Sequence, residues 1–148
     1  MRALIQRVKS ASVTVDGNVM GQIEQGLLVL FGMHKEDHAG QLSWFVEKLI
    51  HLRIFEDDVG KMNRSVQDVD GGILVVSQFT LYGDCRTGRR PSFIHTLPPD
   101  KAEPLYNQLV VELRRKMGEA KVQTGQFGAE MQVKLINDGP ITFLLEQA

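Results

Sequence analysis

Cysteine is nearly absent from this chain. Cys85 stands alone among 148 residues, so no disulfide can close within one copy and no cysteine-based zinc cluster can be assembled. An excess of charge of either sign is missing as well. The 17 Lys and Arg residues against 18 Asp and Glu leave a formal charge of −1, so no global basic field draws the protein to nucleic acid, and any such contact must come from a local patch. No apolar run approaches the roughly 18 residues of a membrane span, and Met1-Arg2-Ala3-Leu4-Ile5-Gln6-Arg7 lacks the apolar core of a signal peptide. Together with the reduced thiol, this predicts a cytoplasmic protein without a membrane partner. Repeats and low-complexity segments are absent too. What remains is 148 residues with 43% hydrophobic content, enough for the core of one domain spanning residues 1–148.

Strand signals dominate the first third. Ala3 to Val8 and Ser12 to Val15 are rich in β-branched and aliphatic residues, Asp16-Gly17-Asn18 supplies a turn, and Val19 to Ile23 completes a predicted hairpin. Gly26 to Phe31 is continuously apolar, as a strand covered on both faces would be. Asp37 is placed to cap a helix whose positions Leu42, Phe45, Val46, Leu49 and Ile50 form a buried stripe. Glu56 to Asn63 is turn-rich, and Gly72 to Ser77 is a second fully apolar strand. A long loop from Gly83 to Pro98 carries Arg86, Arg89, Arg90 and His95 against a single acid, Asp84. A second helix is predicted from Pro99-Asp100 to a stop at Gly118, with Arg114, Arg115 and Lys116 near its negative end. Lys121 to Thr124, Met131 to Ile136 and Ile141 to Glu146 complete a total of about eight strands.

Two segments carry the chemistry. Ser77-Gln78-Phe79-Thr80 follows a buried strand, where amides can point at a substrate carbonyl as an oxyanion site; the plain alternative is a strand end with satisfied hydroxyls. Thr80 as a nucleophile needs a base, and the motif holds none; His95 is the nearest candidate in sequence. Asn137-Asp138-Gly139-Pro140 is the second segment, and by itself it reads as an ordinary turn between strands. Cys85 beside Arg86 is a better intrinsic nucleophile, which leaves a thiol-dependent acyl hydrolase open. Arg86, Arg89 and Arg90, with Pro91 and Phe93, suit phosphate binding or a solvated loop equally. His34 and His38 lack metal-site spacing, His51 reads as a helix-end side chain, and no metal or cofactor is expected.

At these residues the chain resembles a known family, the D-aminoacyl-tRNA deacylases. The resemblance runs in order through Arg53-Ile54-Phe55-Glu56-Asp57, Gly60-Lys61-Met62-Asn63, Ser65-Val66, the segment from Val75 to Asp84, Arg90-Pro91-Ser92-Phe93, Thr124-Gly125, Phe127-Gly128-Ala129 and Asn137-Asp138-Gly139-Pro140-Ile141-Thr142. Valine is commoner in the family where Ile141 stands, and a small hydroxyl residue where Cys85 stands. The resemblance implies a mixed α/β fold in one compact domain, with layered β-sheets packed on two main α-helices, assembled as a homodimer whose active site is shared across the interface. It implies a hydrolase that cleaves the ester of D-aminoacyl-tRNA and of mischarged glycyl-tRNA, a chiral proofreading reaction. By carry-over, Ser77, Gln78, Phe79 and Thr80 surround the substrate's amino acid. Gly139 and Pro140, joined by a cis bond and reaching into the partner's pocket, reject L-residues by backbone crowding. Arg7 supports that pair, Phe127, Gly128 and Ala129 line a pocket for the terminal adenosine, and Arg86, Arg89 and Arg90 contact tRNA. Thr80 is either the nucleophile or a hydrogen-bonding residue while the tRNA 2′-hydroxyl assists water, and the lack of an adjacent base favours the second. A non-catalytic nucleic-acid-binding module is the alternative class, and DNA binding a possible second role.

Overall fold

Alternation with period two decides the architecture. In the computed structural model, which describes residues 1–147, the two continuously apolar segments become β3 (Gly26–Gly32) and β6 (Gly72–Ser77), paired in parallel. Leu27, Val29 and Phe31 of β3, with Ile73 and Val75 of β6, face the main core beneath the helices. Leu28, Leu74 and Val76 point the other way, into a second, smaller core with Val8, Val13 and Ile23. Both faces of these strands are therefore dry, as their unbroken hydrophobicity requires.

β1 (Arg2–Val15) pairs antiparallel with β3 through its first half and with β2 (Asn18–Ile23) through its second. The sequence suggested two strands here, but Lys9 and Ser10 do not interrupt β1; its register opposite the last strand shifts around Val8 and absorbs them. β4 (Phe55–Glu56) and β5 (Met62–Arg64) form a separate ribbon within the turn-rich segment. β7 (Val122–Thr124) adds in parallel to β6, and β8 (Gln132–Glu146) lies antiparallel along β1. The two C-terminal strands expected from the sequence are thus one 15-residue strand with irregular register around Asn137.

The order β2-β1-β3-β6-β7 curls until its ends meet. A Cβ on Gly21 of β2 would lie 2.5 Å from the Thr124 carbonyl of β7, so only glycine permits the two strands to come this close.

α1 (Leu42–His51) and α2 (Pro99–Met117) cover the outer face with the predicted apolar stripes. Asp37 does not cap α1. Its carboxylate accepts instead from the His34 N–H at 2.6 Å and the Gln41 side chain at 3.0 Å, while His38 caps a short 3-10 turn (Ala39–Gln41) that leads into the helix. α2 is tied to the sheet at the Tyr106 hydroxyl, which donates to the Val75 carbonyl at 2.8 Å, and it stops at Gly118 as predicted. Burial raises the Tyr106 phenol above its ordinary pKa, so the hydroxyl keeps its proton and remains a donor.

Candidate active site

Because β6 and β3 run in parallel, the residues that follow them emerge at the same end of the sheet. Gln78 continues the pairing by one bond, its N–H donating to the Phe31 carbonyl at 2.8 Å, and the chain then folds into a 3-10 turn (Phe79–Tyr82). Gly32 makes room for that turn, since a Cβ there would stand 2.7 Å from the Gln78 carbonyl. The N–H groups of Phe79 and Thr80 open the turn and have no acceptor within it, which leaves two donors at the strand end. The Gln78 side-chain amide donates to the Thr80 hydroxyl oxygen. Phe79 is 57% exposed and meets Phe93 edge to face at 5.2 Å.

A cavity of about 590 Å³ opens here. Ser77, Gln78 and Phe79 form one wall; the others come from Phe93, from Thr96 to Pro99 with Ala102, and from Phe127, Gly128 and Ala129 with Met131 and Val133. Thus two sequence-distant candidate groups, Ser77 to Phe79 and Phe127 to Ala129, converge with the arginine-loop aromatic Phe93, while Thr80 lies outside the lining. The residues from Thr96 to Ala102 and the β3 end at Gly32-Met33 were not singled out by the sequence, because their placement depends on the His34–Thr96 bridge and the Leu97 N–H bond to the Met33 carbonyl at 3.0 Å. No ionisable side chain lines the cavity among the described residues. His95, the nearest candidate base for Thr80 in sequence, stacks on His34 at 5.8 Å and lies 4.0 Å from Asp84, outside the cavity lining.

The arginine loop is clipped at its base by reciprocal backbone bonds between Asp84 and Ser92, at 2.8 and 2.9 Å. Within it Arg86 is engaged by Asp84, whose carboxylate accepts from Nε at 2.9 Å and Nη2 at 2.6 Å. The guanidinium and the Arg86 N–H hold the Asp84 carboxyl well below its usual range. Arg89 and Arg90 are exposed and make no ion pair among the described residues. Cys85 is exposed and free.

Gly139 and Pro140 are exposed on β8, joined by a cis peptide, and absent from the lining of their own chain's cavity. Behind them Arg7, only 6% exposed, donates to the Ile54 carbonyl at 2.7 Å and pairs through Nε with the Asp138 carboxylate at 3.0 Å. Asn137 clasps the same bend, its amide donating to the Arg7 carbonyl at 2.9 Å and the Ile141 carbonyl at 3.1 Å. Arg7 therefore braces the residue before Gly139 through a carboxylate.

The model of the D-Tyr-tRNA(Tyr) deacylase family matches residues 4–146. The chain belongs to that family. A D-aminoacyl-tRNA deacylase of Desulfitobacterium hafniense (strain DSM 10664 / DCB-2) is 57% identical over 146 residues, 99% of this chain and 97% of the relative. One from Thermosipho africanus (strain TCF52B) is 55% identical with the same coverage. Among solved structures, the c-Myc DNA Unwinding Element Binding Protein superposes with a TM-score of 0.94 at 42% identity, covering 100% of this chain and 99% of its own. A probable eukaryotic D-amino acid tRNA deacylase shares the fold, with a TM-score of 0.87 at 18% identity over 97% of each chain. Like them, this member of the D-Tyr-tRNA(Tyr) deacylase family is a mixed α/β domain with two main helices on a nearly closed sheet. Among its described residues no helix is long and apolar enough to cross a membrane, and no group of three or more His, Cys, Asp or Glu side chains is gathered as metal ligands.

Proposed function

We propose that this protein hydrolyses the ester of D-aminoacyl-tRNA and of mischarged glycyl-tRNA in the cytoplasm, releasing the free amino acid and tRNA. The observation that carries the reading is the full-length membership of the deacylase family, at 57% identity to a named deacylase. The cavity chemistry is consistent with it. An aminoacyl ester is labile enough that positioning and a pair of amide donors supply a useful rate, without a strong nucleophile. The Phe79 and Thr80 N–H groups are the donors for the developing oxyanion, Ser77 and Gln78 border the amino acid, and Phe127-Gly128-Ala129 border the terminal adenosine. Since no side-chain base faces the cavity, the attacking water is assisted by the 2′-hydroxyl of the terminal ribose, and Thr80 holds its hydrogen bond with Gln78.

Handedness is set by a second copy. Gly139 and Pro140 of one protomer enter the partner's cavity and place carbonyls where an L-side chain would stand, with Arg7 and Asp138 bracing them from behind. The support for this is that the pair is exposed on its own chain, between exposed apolar residues of the same strand.

The test charges one tRNA with the D- and the L-form of the same amino acid and follows deacylation. Rapid release of the D-form alone is the expected result; equal rates, or none, would refute the reading. A second reading, binding to nucleic acid without turnover, draws on the name of the 42% identical structural relative, which denotes a DNA-binding protein. It would be favoured by salt-sensitive binding of DNA in a protein that hydrolyses neither ester.

A further inference from the structure

The turn that presents the Phe79 and Thr80 N–H groups is four residues long, and it is closed by the Leu81 N–H to the Gln78 carbonyl at 3.2 Å and the Gly83 N–H to the Thr80 carbonyl at 3.0 Å. Hydrogen-bond geometry is poorer in a short 3-10 turn than in an α-helix, so its shape depends on what grips it from outside. Arg2 is such a grip. It stands in β1 directly opposite Gly32 of β3 on one side and Glu146 of β8 on the other. Gly32 is the residue over which the turn folds, since a Cβ there would also stand 3.0 Å from the Leu81 Cβ. From this place Arg2 Nη1 donates to the Leu81 carbonyl at 2.8 Å, and the guanidinium lies over the Tyr82 ring, 4.6 Å from its centroid. Its Nε donates to the Glu146 carboxylate, which fixes the guanidinium plane. Tyr82 also meets the His34 ring at 5.4 Å, so the end of the turn is held from two elements. An ion pair whose side chains are 35% and 50% exposed adds little to stability. Its effect is local: it aims one donor at the turn.

We infer that Arg2 is a positioning residue for the hydrolysis: from outside the cavity lining it holds the end of the 3-10 turn, through Leu81 and Tyr82, so that the N–H groups at the turn's start stay aimed at the developing oxyanion. The inference rests on the proposed ester hydrolysis, and it adds a residue that touches no substrate yet sets the rate. Because Glu146 belongs to the strand that carries Gly139 and Pro140, the same guanidinium ties that strand to the turn. An oxyanion donor acts in the transition state, so displacing it lowers kcat and leaves KM nearly unchanged. Removing such a donor outright costs roughly 100- to 1000-fold, and a turn that keeps both N–H groups but aims them less firmly loses less, about tenfold.

The test compares the unaltered protein with R2M, which keeps an unbranched stem and removes every donor, and with R2K, which keeps the charge but lacks the planar fork that serves Leu81 and Glu146 together. Deacylation of D-tyrosyl-tRNA gives kcat and KM, and hydrogen exchange gives the protection of the Leu81 and Gly83 amides. R2M should lose about tenfold in kcat with KM held within about twofold, and about tenfold in protection at those two amides, while the Val29 and Val75 amides of the core strands keep theirs. R2K should fall between the two. R115Q, which breaks an exposed pair with Glu112 on α2, should change neither quantity. Absence of D-ester hydrolysis in the unaltered protein refutes the functional reading beneath the inference. Unchanged protection of Leu81 and Gly83 in R2M refutes the grip of Arg2 on the turn, whether or not the ester is hydrolysed. With turnover present, an unchanged kcat in R2M, a loss carried by KM, or protection lost equally in the core strands refutes the positioning role. Should R2M not fold, R2K decides, and a kcat and protection equal to those of the unaltered protein refute the inference.

Discussion

At the scale of single residues, the cavity is defined by what it lacks: no acid, base or imidazole lines it with Ser77, Gln78 and Phe79, and Thr80 stands just outside the lining, hydrogen-bonded to the Gln78 side chain. If the tRNA 2′-hydroxyl assists water, T80A loses only a hydrogen bond to Gln78, and its kcat falls by about tenfold or less, the equivalent of about 1.4 kcal/mol. Loss of all measurable turnover in a folded T80A protein would make Thr80 the nucleophile. Asp84 gives a pH prediction. Its carboxyl is depressed first by the side-chain bond from Arg86, so the favourable contribution is fully present above the ordinary carboxylate pKa of 3.8 and disappears as pH falls through the lower folded value. Followed by NMR, Asp84 should titrate below pH 3.8, and R86A should move its midpoint back up. These residue types were legible in the sequence, as was the missing base beside Thr80. That His95 turns away to His34 was not, because only the bridge between Thr96 and His34 brings those rings together.

At the scale of elements, the hydrophobic periods of β3, β6, α1 and α2 were readable because each repeats on a regular spacing. Helix starts were less so, since capping depends on which acceptor is free, and Asp37 is occupied elsewhere. The join between α2 and β6 rests on the Tyr106 hydroxyl. Y106F leaves the Val75 carbonyl without this donor and should cost about 1 to 1.5 kcal/mol in urea unfolding. The same phenol carries a pH signature. Its folded pKa lies above the ordinary value of 10.0, so the unfolded chain loses its proton first and stability declines as pH rises past about 10. Tyr82, pushed up to about 12 chiefly by burial, adds to that decline, and Y106F should make it shallower.

At the scale of the whole molecule, β8 presents Ile136 at 57% and Leu144 at 53% exposure along a strand whose only partner among the described residues is β1. Such an apolar edge is an invitation to pairing with another copy. If the proposed dimer pairs through this edge, I136K/L144K should sediment at half the mass of the unaltered protein, retain its circular dichroism and lose deacylation. A monomeric variant that still releases D-amino acids would contradict the proposed sharing of the site between two copies. The sequence by itself determined the element types, the two-sided burial of β3 and β6 and the family, because these depend on residue order and local periodicity. Tertiary structure decided the rest: that Ser77, Ala102 and Phe127 share one cavity, that Arg7 reaches Asp138 and that Arg86 is taken by Asp84. Each of those depends on which strand lies beside which, and on which partner a charge meets first. Spacing along a chain does not encode either.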